Sequence, residues 1–131
     1  KQQKGEKMIK NKLFVKGGCP FSYKFIIFLN EINKLEDFDI NVAHADEPSY
    51  EEITMYILEK SGQKASFPTV ETDDGIFLVG SDELILHYSE IYKTNRDNIK
   101  MLNYWEKNMM PRMRNVIKQL REANERIESL S

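Results

Sequence analysis

The stretch LFVKGGCPFS, residues 13–22, joins a short apolar run to a pattern typical of a helix. The apolar run predicts a buried strand that ends at Gly17 and Gly18, because paired glycines interrupt regular structure. Pro20 fits the first position of the following helix, where its missing N–H costs no hydrogen bond. Cys19, the single cysteine among 131 residues, is expected to cap that helix. The stretch therefore predicts a strand–loop–helix unit with a thiol at the junction.

The thiol of Cys19 has two interpretations. A lone cysteine is commonly a small buried hydrophobic residue. At a helix start, however, the sulfur faces unpaired backbone N–H groups and the positive end of the helix dipole, which favours the thiolate. Lys16, three residues earlier, is expected to add a second positive charge. This combination of residues favours Cys19 as a nucleophile.

The composition is that of an ordinary globular protein, with 40% hydrophobic and 31% charged residues. The net charge of −2 predicts no nucleic-acid partner, and the longest apolar run, Phe25 to Leu29, is too short to cross a membrane. One cysteine forms no internal disulfide, which fits a reducing, cytoplasmic location. Residues 1–10 are expected to be disordered or added for expression, with Met8 as the native start.

Hydrophobic periodicity predicts one domain over residues 11–94. Strands are expected near 11–15, 38–43, 68–70 and 76–79, and helices near 20–35, 46–61 and 81–92. A right-handed crossover makes the first two strands parallel, and Asp74-Gly75 predicts a hairpin with a type I′ turn between the last two. The expected fold is therefore α/β, with a four-stranded mixed sheet flanked by helices.

The segment over 95–131 is predicted to be a C-terminal helical extension. Its apolar residues recur seven apart in two interleaved series: Leu102, Met109, Val116, Ala123 and Leu130, with Met113, Leu120 and Ile127. The unbroken spacing favours one long helix kinked at Pro111, while two helices reversed at Asn108–Pro111 are the alternative. The stripe is expected to bury against its own domain or against a second copy in a homodimer.

Three motifs in this element order resemble the glutaredoxins and, equally, the glutathione-binding N-terminal domain of glutathione S-transferases. They are Cys19-Pro20-Phe21-Ser22, Phe67-Pro68-Thr69-Val70 and Gly80-Ser81-Asp82-Glu83-Leu84. The resemblance covers residues 12–92 and implies a thioredoxin-like fold with glutathione as co-substrate. It also implies partners among glutathionylated proteins and small disulfides.

The resemblance implies roles for the first two motifs and for Lys16. Cys19 is implied as the nucleophile that forms a mixed disulfide with glutathione, with Pro20 and Phe21 beside it. Lys16 is implied to approach the glycine carboxylate. The Phe67–Pro68 bond is expected to be cis, leaving the Phe67 backbone to pair with the cysteinyl part of glutathione as an added strand.

The third motif is implied to hold the γ-glutamyl end of glutathione. Glutaredoxins place that role on Asp82 and Glu83, whereas transferases place it on Ser81 and Asp82, so Asp82 is common to both. Simple helix capping by Ser81-Asp82-Glu83 is the alternative explanation, and one group can do both.

Ser22 stands where dithiol glutaredoxins have a second cysteine, so the expected chemistry is monothiol. The predicted function is glutathione-dependent thiol-disulfide exchange through Cys19, in which glutathione resolves the adduct. One alternative is a transferase-like glutathione-binding domain with little redox turnover. Another is a dimeric iron–sulfur carrier, which Pro20 disfavours because that class has glycine there. No metal site is predicted, since His44 and His87 lie far apart in the sequence.

Overall fold

The computed structural model describes residues 10–131. Residues 1–9, which include the predicted start at Met8 and most of the predicted N-terminal segment, lie outside the described residues. The elements are β1 (Asn11–Lys16), α1 (Pro20–Glu31), β2 (Phe38–Ala43), α2 (Pro48–Ser61), β3 (Thr69–Glu71), β4 (Phe77–Val79), α3 (Ser81–Tyr92), α4 (Lys100–Tyr104) and α5 (Met110–Ser129). Short 3₁₀ turns at Leu35–Asp37 and Arg96–Asn98 precede β2 and α4.

The four strands form one mixed sheet in the order β2-β1-β3-β4. β1 runs parallel to β2, with Leu13 opposite Ile40, and antiparallel to β3, with Leu13 opposite Val70. β3 and β4 are antiparallel neighbours. The predicted mixed sheet with helices around it is confirmed.

The alternation along β1 divides the helices between the two faces of the sheet, since successive strand residues point to opposite sides. Leu13 and Val15 belong to the main core, together with buried residues of α1 and α3. Phe14 points the other way, and its ring lies 5.7 Å from that of Tyr56 in α2. Both faces of the central strand are therefore covered, which fixes the end of β1 where Cys19 follows.

The hairpin between β3 and β4 is formed, but its turn differs from the predicted type I′. That type needs positive φ at both central residues, whereas Gly75 is the single residue of the turn with positive φ. The Gly75 N–H donates to the Thr72 carbonyl at 2.9 Å, and the Thr72 N–H donates to the Ile76 carbonyl at 2.8 Å. The glycine therefore closes a longer turn and does not form its centre.

The C-terminal residues form one continuous helical run over 100–129, which confirms the single helix over the reversed pair. Regular α-helical bonding is interrupted by a π turn at Trp105–Met109, where the Met110 N–H donates to the Trp105 carbonyl. Pro111 follows immediately and has no N–H to continue the α-helical pattern. The irregularity thus falls just before the predicted kink, and it takes the form of a π turn.

Burial along this run changes at the π turn. Ile99, Leu102, Trp105 and Met110 belong to the main core, and the Trp105 ring meets Tyr23 of α1 edge-on at 4.7 Å. Beyond Pro111, Val116, Leu120, Ile127 and Leu130 are exposed. Of the predicted stripe, the domain therefore covers Leu102 but not Met109, whose neighbour Met110 is buried in its place. No helix within residues 10–131 combines the length and apolar character that a membrane span requires.

Candidate functional site

Cys19 occupies the position predicted for it, as the N-cap of α1. Its backbone is extended, with φ −87° and ψ 121°, and Pro20 begins the helix. The Tyr23 N–H donates to the Cys19 carbonyl at 3.1 Å, which is the first bond of the helix. The thiol makes no capping hydrogen bond, so its sulfur is not engaged by the helix start.

The loop before Cys19 depends on both of its glycines. Gly18 has φ +77°, a left-handed conformation that side chains with a Cβ rarely adopt. A Cβ on Gly17 would lie 2.9 Å from Nδ1 of His44, so the imidazole occupies the space that a side chain would need. The Gly17 N–H donates to the Ala43 carbonyl at 2.9 Å, which ties the loop to the end of β2.

Ser22 also holds this loop. Its buried hydroxyl oxygen accepts a hydrogen bond from the Lys16 N–H at 3.1 Å. Ser22 is therefore a structural contact between α1 and the end of β1. The loop is fixed from both sides, and Cys19 is held at its outer end.

The half-buried Cys19 lines an open groove of about 800 Å³ between this loop and α5. Lys16, Pro20 and Phe21 line the same groove, so the structure brings together four of the predicted site residues. A smaller cavity of about 290 Å³ also reaches Cys19, and Tyr23 and Met113 contribute to its wall. Cys19 therefore lines both a larger groove that has cationic side chains and a smaller, mostly apolar cavity.

Phe67 and Pro68 lie on another side of the site, and their peptide bond is cis, as expected from the resemblance. The Phe67 ring lies 6.3 Å from that of Tyr50, and the Lys16 ammonium lies 5.6 Å from the same Tyr50 ring. Tyr50 therefore connects Phe67 to the Cys19 loop. Neither backbone group of Phe67 is hydrogen-bonded to another described residue, which leaves both free for an extended ligand.

Ser81 does not cap α3, contrary to that interpretation of the third motif. The N-cap is Gly80, and Ser81 is the first residue of the helix, with a buried side chain. The Gly80 N–H donates to the Pro68 carbonyl at 3.0 Å, so this motif is attached directly to the Phe67–Pro68 segment.

Asp82 belongs to an ionic cluster of four side chains. Its Oδ1 lies 2.6 Å from the Lys24 ammonium and 3.3 Å from Arg96. The same two cations lie 2.6 and 2.7 Å from the oxygens of Glu106, so two positive and two negative groups alternate. We call Lys24, Asp82, Arg96 and Glu106 the ionic cluster.

The environment of the cluster explains its electrostatics. The hydrogen bond from Lys24 is the main cause that lowers the pKa of Asp82. Burial raises the pKa of Glu106, but the hydrogen bonds from Lys24 and Arg96 outweigh it and lower that pKa overall. The Lys24 side chain is only 3% exposed, whereas that of Asp82 is 71% exposed. A buried lysine thus holds an outward-facing carboxylate in its ionised form.

The predicted glutathione residues do not all line one cavity. Asp82 and the exposed Glu83 line a separate cavity of about 600 Å³, together with Arg96. The groove and the smaller cavity at Cys19 are lined by neither of them. The predicted nucleophile and the predicted γ-glutamyl residues therefore do not share those cavities.

Sequence reasoning missed two cations, Lys24 in the ionic cluster and Arg114 at the Cys19 groove. Lys24 lies within the apolar pattern of α1, and a charge on a buried face is the signal that could have identified it. Arg114 lines the Cys19 groove, with its guanidinium 5.0 Å from the Phe21 ring. No local signal linked Arg114 to Cys19, because the two are almost a hundred residues apart in the sequence.

The sequence matches no protein-family model. It also has no significant match among the curated proteins.

Proposed function

We propose that this chain is a thioredoxin-like, glutathione-dependent monothiol oxidoreductase that removes glutathione from mixed disulfides through Cys19. The observation that carries the proposal is the position of Cys19, half-buried at the start of α1 and open to a groove beside Lys16. A thiol in that position is reachable by a disulfide and lies near two sources of positive potential. A reaction that depends on glutathione fits a reducing compartment such as the cytoplasm.

The reaction has two exchanges. In the first, the Cys19 thiolate forms a bond to the glutathionyl sulfur, the substrate disulfide breaks, and the substrate leaves as a thiolate. In the second, a glutathione thiolate attacks the Cys19 adduct, giving oxidised glutathione and free Cys19 thiolate. The released substrate thiolate takes up the proton of the attacking glutathione thiol, and the glutathione thiolate supplies the electron pair of the exchange. No second protein thiol is needed, which suits a chain with one cysteine.

The groups around Cys19 support binding of a glutathionyl group. Lys16 offers an ammonium near the loop, and the free Phe67 backbone offers a donor and an acceptor to an extended peptide. Asp82 offers an ionised carboxylate for an ammonium group, although it lies on a separate cavity. These residues therefore support binding of the cysteinyl and glycyl parts of glutathione more strongly than binding of its γ-glutamyl part.

The direct test is turnover of a glutathionylated peptide with glutathione and a recycling reductase. We expect activity in the parent chain and only the protein-free rate in Cys19→Ser, which keeps a similar size but is a far poorer nucleophile. Turnover that persists in Cys19→Ser would refute the proposal.

A matched pair of lysines on β1 tests the binding side. Lys16→Gln is expected to raise the KM for glutathione, because it removes the ammonium beside the Cys19 loop. Lys12→Gln, on the same strand but outside the groove, is the control and is expected to leave that KM unchanged. Equal effects of both variants would remove Lys16 from the proposed site. Binding to immobilised glutathione without turnover would favour the transferase-like alternative.

A further inference from the structure

We propose that the groove between Cys19 and α5 is a specificity site for an acidic polypeptide, whose carboxylates flank the cysteine that carries glutathione. This inference rests on the function proposed above and names the class of its substrate. It concerns the three cations of α5 that face the groove, Arg114, Lys118 and Arg121.

The geometry of α5 places these cations beside the nucleophile. Arg114, Lys118 and Arg121 follow one another at helical spacing, so they share the side of α5 that lines the groove. Arg114 also contacts Phe21, two residues after Cys19, with its guanidinium 5.0 Å from the ring centre. The wall opposite the Cys19 loop is therefore fixed in position and cationic.

The charge of the groove is opposite to that of the whole chain. Four cationic side chains line it, those of Lys16, Arg114, Lys118 and Arg121, against the two carboxylates of Glu122 and Glu125. The groove thus has an excess of two positive charges, whereas the chain has a net charge of −2. A local cationic surface on an acidic protein selects anionic ligands and speeds their approach.

No carboxylate of residues 10–131 is paired with Arg114, Lys118 or Arg121. Every ion pair within 4 Å that the structure contains over residues 10–131 lies inside the ionic cluster. Arg114, Lys118 and Arg121 take part in none of these pairs, so their donors remain available to carboxylates of a ligand.

The length of the groove favours a polypeptide over glutathione itself. Its wall on α5 extends from Pro111 to Glu125, which corresponds to about 20 Å at the helical rise per residue. An extended peptide covers that length with about six residues. The lining includes none of Phe67, Pro68, Asp82 and Glu83, so these four residues implied in glutathione binding lie outside it, whereas Lys16, Pro20 and Phe21 line its Cys19 end.

The cations also suit the first exchange. When Cys19 bonds to the glutathionyl sulfur, the substrate sulfur leaves with the electron pair of the broken disulfide as a thiolate. Positive side chains along the substrate stabilise this thiolate until it takes a proton from a glutathione thiol. The same groups that select an acidic substrate thus favour its release from the disulfide.

Alkylation of Cys19 tests the charge of the groove without glutathione. In the parent chain, we expect the cationic groove to raise the rate of Cys19 alkylation by iodoacetate, an anion, relative to the rate with neutral iodoacetamide. The rate ratio of the two reagents should fall about three- to tenfold in Arg114→Gln/Lys118→Gln/Arg121→Gln. It should also fall towards the variant's value at 1 M salt, where the screening length is about 3 Å.

The control removes the same charge from the same helical run. Lys107, Arg112 and Arg126 are exposed and do not line the groove, so Lys107→Gln/Arg112→Gln/Arg126→Gln should keep the parent ratio. A ratio that does not change in the groove variant, or that falls equally in the control, would overturn the specificity site.

Peptide substrates then identify the ligand. Three glutathionylated peptides, with Asp and Glu, with Ser, or with Lys beside the cysteine, are compared for deglutathionylation. The acidic peptide should have the lowest KM, and the groove variant should raise that KM while leaving the KM for glutathione unchanged. An effect on glutathione alone would refute the polypeptide assignment. A changed alkylation ratio with no turnover of any peptide would refute the proposed function and leave the anion preference of the groove standing.

Discussion

The two parts of the C-terminal helical run share one amphipathic pattern but have opposite surroundings. Before Pro111, Leu102 is 0% exposed and Glu106 belongs to the ionic cluster. After Pro111, Val116 is 52% and Leu130 is 86% exposed, although they continue the seven-residue series of Leu102. The comparison teaches that apolar periodicity defines a helix and its face, whereas the packing of the domain decides which part of that face is covered.

The ionic cluster lies on the covered side of this boundary. Through Lys24, Asp82, Arg96 and Glu106, it joins α1 and the start of α3 to the 3₁₀ turn before α4 and to the π turn. Beyond the boundary, Arg114, Lys118 and Arg121 of α5 have no such partners among the described residues and face the Cys19 groove. Charge therefore attaches the first part to the domain and, in the second part, remains available for ligands.

Leucine truncation on each side of the boundary gives the largest expected difference. Leu102→Ala should lower the free energy of unfolding by about 2–5 kcal/mol, because it leaves a cavity in the core. Leu120→Ala removes the same atoms from an exposed site and should change it by less than about 0.5 kcal/mol. Urea unfolding of both variants measures the difference, and similar losses at the two sites would show that the second part is covered as well.

Removal of one carboxylate from each part should give the next largest difference. Glu106→Ala leaves the buried Lys24 ammonium with Asp82 as its remaining carboxylate partner, and should lower the free energy of unfolding by about 1–3 kcal/mol. Glu128→Ala, on the exposed part of the run, should have an effect within about 0.5 kcal/mol. Equal stability of Glu106→Ala and the parent chain in urea would mean that the cluster does not anchor the helix.

Acid should weaken the covered part through the same cluster. Asp82 and Glu106 have lowered pKa values in the folded protein, so the unfolded chain binds more protons as the pH falls. Their contribution is complete above their ordinary pKa values and is lost between about pH 5 and the lowered values. The urea midpoint of the parent should therefore fall on acidification from pH 6 to pH 3.

The double variant Asp82→Asn/Glu106→Gln is the comparison for this acid dependence. It lacks both carboxylates, so its midpoint should fall less than that of the parent over the same range. Parallel decreases in the two proteins would assign the acid dependence to other groups.

Local signals were sufficient for the sheet and for the cysteine loop. The apolar run before Gly17, the proline after Cys19 and the spacing of α1 each reflect a requirement within a few residues of the chain. The single C-terminal helix was predicted in the same way, because the apolar spacing of the sequence continues through Pro111. The π turn, which buries Met110 in place of Met109, was not predicted. These features depend on neighbours in the sequence, which a sequence displays directly.

The features that sequence reasoning missed depend on distant partners. Lys24 and Asp82 are 58 residues apart, and their bond forms because α1 and α3 pack on the same face of the sheet. The place of Arg114 beside Phe21 depends on how α5 leaves the core. The predicted type of the turn before β4 was wrong because Asp74-Gly75 is compatible with more than one hairpin geometry.

Self-association through the exposed stripe should have the smallest effect on the fold. Met113, Leu120 and Ile127 alternate with Val116, Ala123 and Leu130 at the spacing of a coiled-coil seam. The stripe spans fewer than three heptads, and helices of this length are marginal by themselves, so we expect association only at high protein concentration. Sedimentation of the parent should give an average mass that rises with concentration, whereas Leu120→Lys should remain monomeric.

The control for this prediction is Gln119→Lys, which adds the same charge beside the stripe and should retain the association. At low concentration, Leu120→Lys and the parent should unfold at the same urea midpoint, because in the monomer this side chain already faces water. If the parent chain stays monomeric at every concentration, the expectation of a homodimer seam is wrong. The second part of the helical run would then contribute to function only through the groove.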